Sequence, residues 1–585
     1  MNSSTRRLIP LALTLGLLVA ACGSTTTSKT RDSNTNVSFK SCSEVACTGS
    51  INGAPYEILL PAKWNGTLLL YSHGYRNAAP TPPTFAPVDT KAEPAPGWST
   101  GKKQTGDALL AQGYALAGSA YKSNGWAVED GVAADEDLYS FFTQNVGSPN
   151  RVYVWGDSLG GLITQTVAEK DSSWVDGVAP FCGALAGLVP NLDLALDVEY
   201  GVKTLIYPQL KLTGFASYEE AVNNWVAAAK AVVAAASDTA GGGTAKVLYL
   251  AALVDGPGKT KTYDGADIQS TVKADVESIL TALGYGTFGR YDIEQRFGGN
   301  ASSNEGVDYS ARISVADTAV IDAVTAGATA QANAAMAAGT RVTADAAAVE
   351  KALASGGDPK GDVTDPTITM HTAADPLVIA QNETFFRNRY AGQVAKGKAT
   401  ADLVQLYTTP PATYPEEPGA PFGAGHCNFT TETRVAVIGL LDKWVREGVT
   451  PSSGSALVVM PTDTTGFSPI YSPGPWPEPA LAALPKCRDW RRSRSALTYA
   501  TTERVVPTIN AVPTMTVTVS CGPNVTAIPK IATVAQRPTT ERRSSAANRP
   551  KRQICTTAKT VPRAANIHAC PISPWYAEPP AALTT

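Results

Sequence analysis

The sequence predicts an α/β protein: a mostly parallel central sheet flanked by helices, with a large helical insertion and a poorly ordered C-terminal tail. Three observations carry that prediction. Apolar runs rich in β-branched and aromatic residues alternate with helically spaced runs over 42–182 and again over 362–449, the pattern of strands joined by crossover helices. The stretch between them, 183–361, carries a series of helix signals and is far longer than one strand-to-strand connection needs. After Val449 the composition shifts to Pro, Ser and Gly and then to a basic segment without sustained periodicity.

In chain order, the first 21 residues hold two arginines, an apolar stretch over 8–20 and the sequence Val19-Ala-Ala-Cys22. This resembles a bacterial lipoprotein signal: the apolar run is too short for a comfortable transmembrane helix, and small residues before a cysteine suit cleavage and lipid attachment at Cys22. A plain secretory signal is the other reading. Residues 22–41, rich in Ser, Thr and Asn, would form a flexible tether from the membrane, placing the protein outside the cytoplasm. Within the first core segment, 68–73 is an apolar strand ending in His73-Gly74. A helix over 105–113, a strand over 114–121 and a helix over 130–144 follow.

The strand Arg151-Val-Tyr-Val-Trp155 then runs through Gly156-Asp157-Ser158-Leu159-Gly160 into a helical pattern over 162–168. A G-x-S-x-G pattern alone is weak, but strand, turn and helix around it place Ser158 on a sharp bend as a candidate nucleophile. A serine hydroxyl needs a base, and the base needs a group to hold its tautomer. The chain has four histidines. His73 ends a strand in an oxyanion-loop setting, His371 follows the strand-like 367–370 and packs beside a candidate acid, and His568 lies in the irregular tail. His426, in Phe422-Gly-Ala-Gly-His-Cys-Asn-Phe429 before an amphipathic helix over 431–449, is the candidate base. For the acid, Asp375 follows the 367–370 strand, whereas Asp362 and Asp365 precede it and belong at its opposite end.

Ser158, Asp375 and His426, in that order at successive strand ends, resemble the α/β-hydrolase family over about 50–448, the insertion excepted. The resemblance implies Ser158 as nucleophile, His426 as general acid and base, Asp375 as its orienting acid, and the backbone amides of Tyr75 and Leu159 as an oxyanion hole. It is closest in character to the secreted esterase, lipase and polyester-hydrolase branches. Export permits disulfides among the eight cysteines other than Cys22: Cys42 with Cys47 locally, and Cys182, after a strand over 175–179, with Cys427 to brace the histidine loop. Tannase and feruloyl-esterase relatives pair the cysteine after the histidine with one directly before the serine, where this chain has Asp157. No C-x-x-C or H-E-x-x-H motif supplies a metal ligand set, and no cofactor is called for.

In the insertion, Ser217-x-x-Glu220 reads as a capping box for a helix over 221–236, with further helices over 268–283, 315–338 and 342–355. The whole of 183–361 reads as a cap over the active site. Its aromatics Tyr200, Tyr207, Phe215, Tyr218 and Trp225 either line an acyl pocket or form the cap's own core. The 450–585 tail hides a charge split: from Lys486 onward 15 Lys and Arg face 4 Asp and Glu, net +11, against 33 and 47, net −14, before it. Disorder is one reading of the tail, and attachment to an anionic envelope polymer through 491–494 and 548–552 another. The expected activity is hydrolysis of small-molecule or polymeric carboxylic esters, with no nucleic-acid partner. An aminopeptidase or small-peptide hydrolase on the same fold, and a catalytically silent envelope-binding lipoprotein, stay open as alternatives.

Overall fold

The computed structural model describes residues 46–170, 173–254, 263–414 and 421–477. The signal, Cys22, Cys42, His568 and the basic clusters of the tail lie outside the described residues.

Eight strands form one sheet in the order β1-β2-β4-β3-β5-β6-β8-β9. They are β1 (Ala46–Ile51), β2 (Ala54–Leu59), β3 (Thr67–Ser72), β4 (Ala115–Ser119), β5 (Arg151–Asp157), β6 (Gly177–Phe181), β8 (Thr367–Thr372) and β9 (Leu403–Thr408). A two-residue β7 (Tyr263–Asp264) pairs separately with β10 (Thr413–Tyr414). In the large sheet, β1 and β2 are antiparallel additions at one edge, and every pairing from β4 through β9 is parallel. Covered on both faces, the central strands can be apolar throughout: Thr67-Leu-Leu-Leu-Tyr-Ser72 is buried at all six positions. Helices α1 (Gln104–Ala111), α2 (Val128–Asn145) and α3 (Leu159–Glu169) cross between the early strands, and α12 (Gln381–Val394) and α13 (Thr431–Glu447) serve the later ones. This is the α/β-hydrolase fold. Among the described residues no helix is long and apolar enough to cross a membrane.

The chain leaves the sheet at the end of β6 and returns at β8, the adjacent strand. In between stand α4 (Leu188–Leu205), α5 (Tyr218–Ser237), α6 (Gly243–Leu253), α7 (Ile268–Gly284), α8 (Arg290–Phe297), α9 (Val315–Val324), α10 (Ala328–Ala338) and α11 (Ala346–Ser355). They bury a second apolar cluster of their own around Leu196, Tyr200, Tyr249, Leu283 and Met336.

Three details of this insertion differ from the sequence expectation. The run over 315–338 is two helices, because Thr325 is extended and Gly327 adopts the left-handed conformation between them. The helix expected from 342 begins at Ala346, Asp345 being its N-cap. The Ser217 capping box is half made: Ser217 accepts from the Glu220 amide, but the Glu220 carboxylate accepts from Ala216 N (2.6 Å) and Lys211 Nζ (2.8 Å) instead of closing on Ser217.

Between α7 and α8 lies a π-helical turn, Tyr285–Gly289. A buried ion pair holds it: Arg290 Nη2 donates to Glu199 Oε2 (3.1 Å), both side chains being wholly buried, while Arg290 Nε donates to the Gly286 carbonyl (3.0 Å). A Cβ on Gly286 would stand 2.0 Å from the Glu199 carboxyl carbon, so the turn and the ion pair require a residue without a side chain there.

Candidate active site

Ser158 occupies the single residue between β5 and α3, with φ 59° and ψ −120°, a strained conformation for a non-glycine residue. The neighbouring glycines make the bend sterically open. A Cβ on Gly160 would lie 1.9 Å from the Ser72 carbonyl oxygen, and one on Gly156 2.5 Å from the same atom. The Ser158 amide donates to the Phe181 carbonyl (2.9 Å), pinning the bend to β6.

His426 rides on the loop before α13. Gly425 N donates to Ala374 O (3.0 Å), and the Asn428 amide donates to the carbonyls of Pro421 (2.8 Å) and Ala424 (2.9 Å). The loop thereby brings the imidazole against both partners: Nε2 lies 2.7 Å from Ser158 Oγ, and Nδ1 lies 2.8 Å and 3.0 Å from the two Asp375 oxygens. Because a carboxylate only accepts, Nδ1 carries the proton and Nε2 is left to accept from the serine hydroxyl. Asp375 is wholly buried, and its Oδ1 also accepts from the amides of Leu377 and Val378 (2.9 Å each). Burial pushes its carboxyl up, but His426, His371 and the Leu377 amide outweigh that and hold it below the usual value. Asp362 and Asp365 stand before β8, at the other end of the strand from Asp375.

Neither of the other described histidines hydrogen-bonds to the serine. His73 is buried and stacked on Tyr121 at 4.0 Å; burial and Arg76 pull its pKa down to about 3, so it is a neutral core residue. His371 packs behind the acid as expected. Its Nε2 lies 2.8 Å from the Val378 carbonyl and 3.8 Å from Asp375 Oδ2, and its Nδ1 lies 3.3 Å from Glu383 Oε1.

Cys182 and Cys427 form a disulfide with a Cα–Cα distance of 5.5 Å, joining the end of β6 to the residue after His426. Cys47 is disulfide-bonded as well, while Cys42 lies outside the described residues. A second brace was not foreseen from the sequence. Arg434, in the first turns of α13, donates to Asp157 Oδ1 (2.6 Å) and to the Cys427 carbonyl (3.2 Å), its guanidinium 5.3 Å and 5.5 Å from the rings of Phe181 and Phe429. A charged residue directly before the serine, at the end of a strand with an apolar interior, was the available signal. The one trio of potential metal-ligand atoms found among the described residues is Cys182, His426 and Cys427. Its two sulfurs are bonded to each other, so neither offers a thiolate.

A narrow cleft with about 80 Å³ of accessible space starts at Ser158 and runs into the insertion. Tyr75, Leu159, Trp126 and Tyr285 line it, together with aliphatic residues of α4, α6 and α7 and the 376–379 loop after the acid. Neither the Tyr75 nor the Leu159 amide is spent on a protein acceptor among the described residues. Of the five insertion aromatics considered for a pocket, none lines this cleft. Tyr200 stacks on Tyr309 (5.4 Å), Tyr218 donates to the Pro80 carbonyl (3.0 Å) and Trp225 to that of Leu280 (3.1 Å). The aromatic from the insertion that does reach the cleft is Tyr285, set by the π-turn 5.2 Å from Tyr75.

No protein-family model and no curated protein matches the chain. Among solved structures it is similar to feruloyl esterase B from Aspergillus oryzae, at 15% identity and TM-score 0.32, over 70% of this chain and 80% of that one. The rice cell wall degrading esterase LipA from Xanthomonas oryzae follows at 14% and 0.28, over 61% and 79%. A thermostable carboxyl esterase from Bacillus coagulans gives 10% and 0.26, over 63% and 91%.

Proposed function

We propose that this protein is an extracytoplasmic serine hydrolase that cleaves carboxylic esters through an acyl-enzyme on Ser158. The observation that carries the proposal is the continuous hydrogen-bonded line from Ser158 Oγ through His426 to the buried Asp375 carboxylate. In this reading His426 Nε2 takes the hydroxyl proton as Oγ attacks the ester carbonyl, and Asp375 stabilises the imidazolium that forms. The amides of Tyr75 and Leu159 meet the charge developing on the carbonyl oxygen, each donor of this kind being worth about 3 kcal/mol. His426 then protonates the departing alcohol, activates a water to attack the acyl-enzyme, and returns the proton to Ser158 as the acid leaves.

The peptidase alternative needs a carboxylate to hold a substrate amine, and the cleft lining contains no charged residue. Location outside the cytoplasm, with Cys22 as the lipid-bearing residue, is supported by the signal-like first 21 residues and by the Cys182–Cys427 bridge, a bond that persists in oxidising compartments. The test compares a short-chain nitrophenyl ester with an amino-acid nitroanilide, using wild type and Ser158→Ala. Ester turnover in wild type and its loss in the variant are expected. Turnover that survives Ser158→Ala would sink the assignment, and a wild type inert on both substrates would favour the silent lipoprotein.

A further inference from the structure

The cleft is specialised beyond what ester cleavage requires. Away from the serine its wall is built from three helices of the insertion: Leu188, Leu192, Ala195 and Val198 on α4, Ala251 on α6, and Ile279 and Ala282 on α7. Alanine from each of the three helices lines the same space, which leaves room beside the larger leucines and isoleucine. Two polar side chains of the wall are committed to other protein groups. The Asn191 amide donates to Gly187 O (2.8 Å) and Asn382 Oδ1 (3.0 Å), and the Trp126 indole donates to Gly356 O (2.7 Å). Ser278, 5% exposed, has a hydroxyl without a hydrogen-bond partner among the described residues. The phenol hydroxyls of Tyr75 and Tyr285 also line the cleft, and a few neutral hydroxyls in a mainly aliphatic wall do not compensate a buried charge, which would have to shed its hydration against leucine, isoleucine and alanine.

From this lining we infer that the substrate is an ester carrying an uncharged aliphatic chain, which enters the insertion between α4, α6 and α7 while its ester group stays at Ser158. The inference rests on the ester-hydrolase reading and names its substrate class. The buried chain could belong to the acid or to the alcohol; its chemistry is the same in both cases. Each methylene moved from water into such a wall is worth about 0.8 kcal/mol, a roughly fourfold gain in kcat/KM per carbon until the space is filled.

The test measures acid release by pH-stat from ethyl acetate, ethyl octanoate, octyl acetate, ethyl cinnamate and ethyl 8-aminooctanoate. The full chain is used, as wild type, Ser158→Ala, Ala282→Phe and Ala251→Leu. For wild type, one or both octyl-chain esters should exceed ethyl acetate by at least a hundredfold in kcat/KM; the pair shows whether acid or alcohol supplies the chain. The cationic 8-amino ester should lose most of the gain. Either cleft variant should reduce the long-to-short ratio at least tenfold, the second being a milder change should the first not fold.

Ser158-dependent cleavage of ethyl acetate with no gain from either long chain would overturn this inference and leave the ester-hydrolase reading intact. A cinnamate faster than octanoate, or an unchanged ratio in both folded variants, would also overturn it. Absence of Ser158-dependent hydrolysis of all five esters would overturn both.

Discussion

Replacing Cys182 and Cys427 together by alanine removes the disulfide that ties the nucleophile's side of the sheet to the histidine loop. The bridge closes a loop of sequence separation 245, for which the chain-entropy relation gives about 5.5 kcal/mol at 25 °C. That is an upper figure, since bridges of this kind deliver about 2–5 kcal/mol in practice. Both half-cystines have positive φ, 43° and 52°, and freeing them lets backbone strain relax in the variant, which offsets part of the loss. Cys182 is fully buried beside Phe181, and the missing sulfurs leave a small void that acts in the opposite sense. The expected net loss is about 3–4 kcal/mol, read from urea unfolding followed by tryptophan fluorescence. Because His426 directly precedes Cys427, kcat on a short ester should fall about tenfold while KM stays within about twofold. A variant that unfolds within about 1 kcal/mol of wild type and keeps its kcat would refute the bracing role.

Arg434→Met strands the Asp157 carboxylate, whose side chain is 13% exposed, and should cost about 3–5 kcal/mol; adding Asp157→Asn should recover much of it, and denaturation of single and double variants checks both. Asp375→Asn should lower kcat by about 10⁴-fold by permitting the wrong imidazole tautomer. The folded Asp375 titrates below its unfolded value of 3.8, so its stabilisation is present above that pH and lost as pH falls through the folded pKa. An acid-unfolding curve for Asp375→Asn as steep as that of wild type below pH 3.8 would contradict this. His371, between Glu383, Asp375 and the neighbouring Tyr407 of β9, has a raised pKa because Glu383 and Asp375 outweigh the opposing effect of burial. Its contribution should be complete below its unfolded value of 6.5 and fade as pH rises through the higher folded value. The stability gap between wild type and His371→Gln should accordingly narrow from pH 6 to pH 9, by thermal unfolding.

What the sequence made legible was local. Gly156, Gly160 and the β-branched run before them announce the bend at Ser158 because the steric demand lies within a few residues of the serine. His426 could be found because only four histidines exist and its glycine-rich loop precedes a strongly periodic helix. Asp157 signals that a partner is needed, but not that it is Arg434, which lies 277 residues away, and no periodicity records such a pairing. Tyr285 was equally hidden: a π-turn breaks the 3.6-residue spacing by which helix faces are read, and the ion pair that holds it joins residues 91 apart. Large rings dominate pockets and cores alike, yet the wall of the cleft is made mainly from aliphatic side chains that a sequence presents as ordinary helix filling.

The insertion begins and ends on neighbouring strands, β6 and β8, so its two points of attachment sit side by side while Ser158, Asp375 and His426 all belong to the sheet and its loops. In the proposed hydrolase, reactivity and much of the selectivity therefore lie on different stretches of one chain. In that hydrolase, exchange of the eight helices as a cassette would leave the hydrogen-bonded line from serine through histidine to aspartate untouched while redrawing most of the walls around it, which would open this scaffold to new substrates without reinvention of its chemistry.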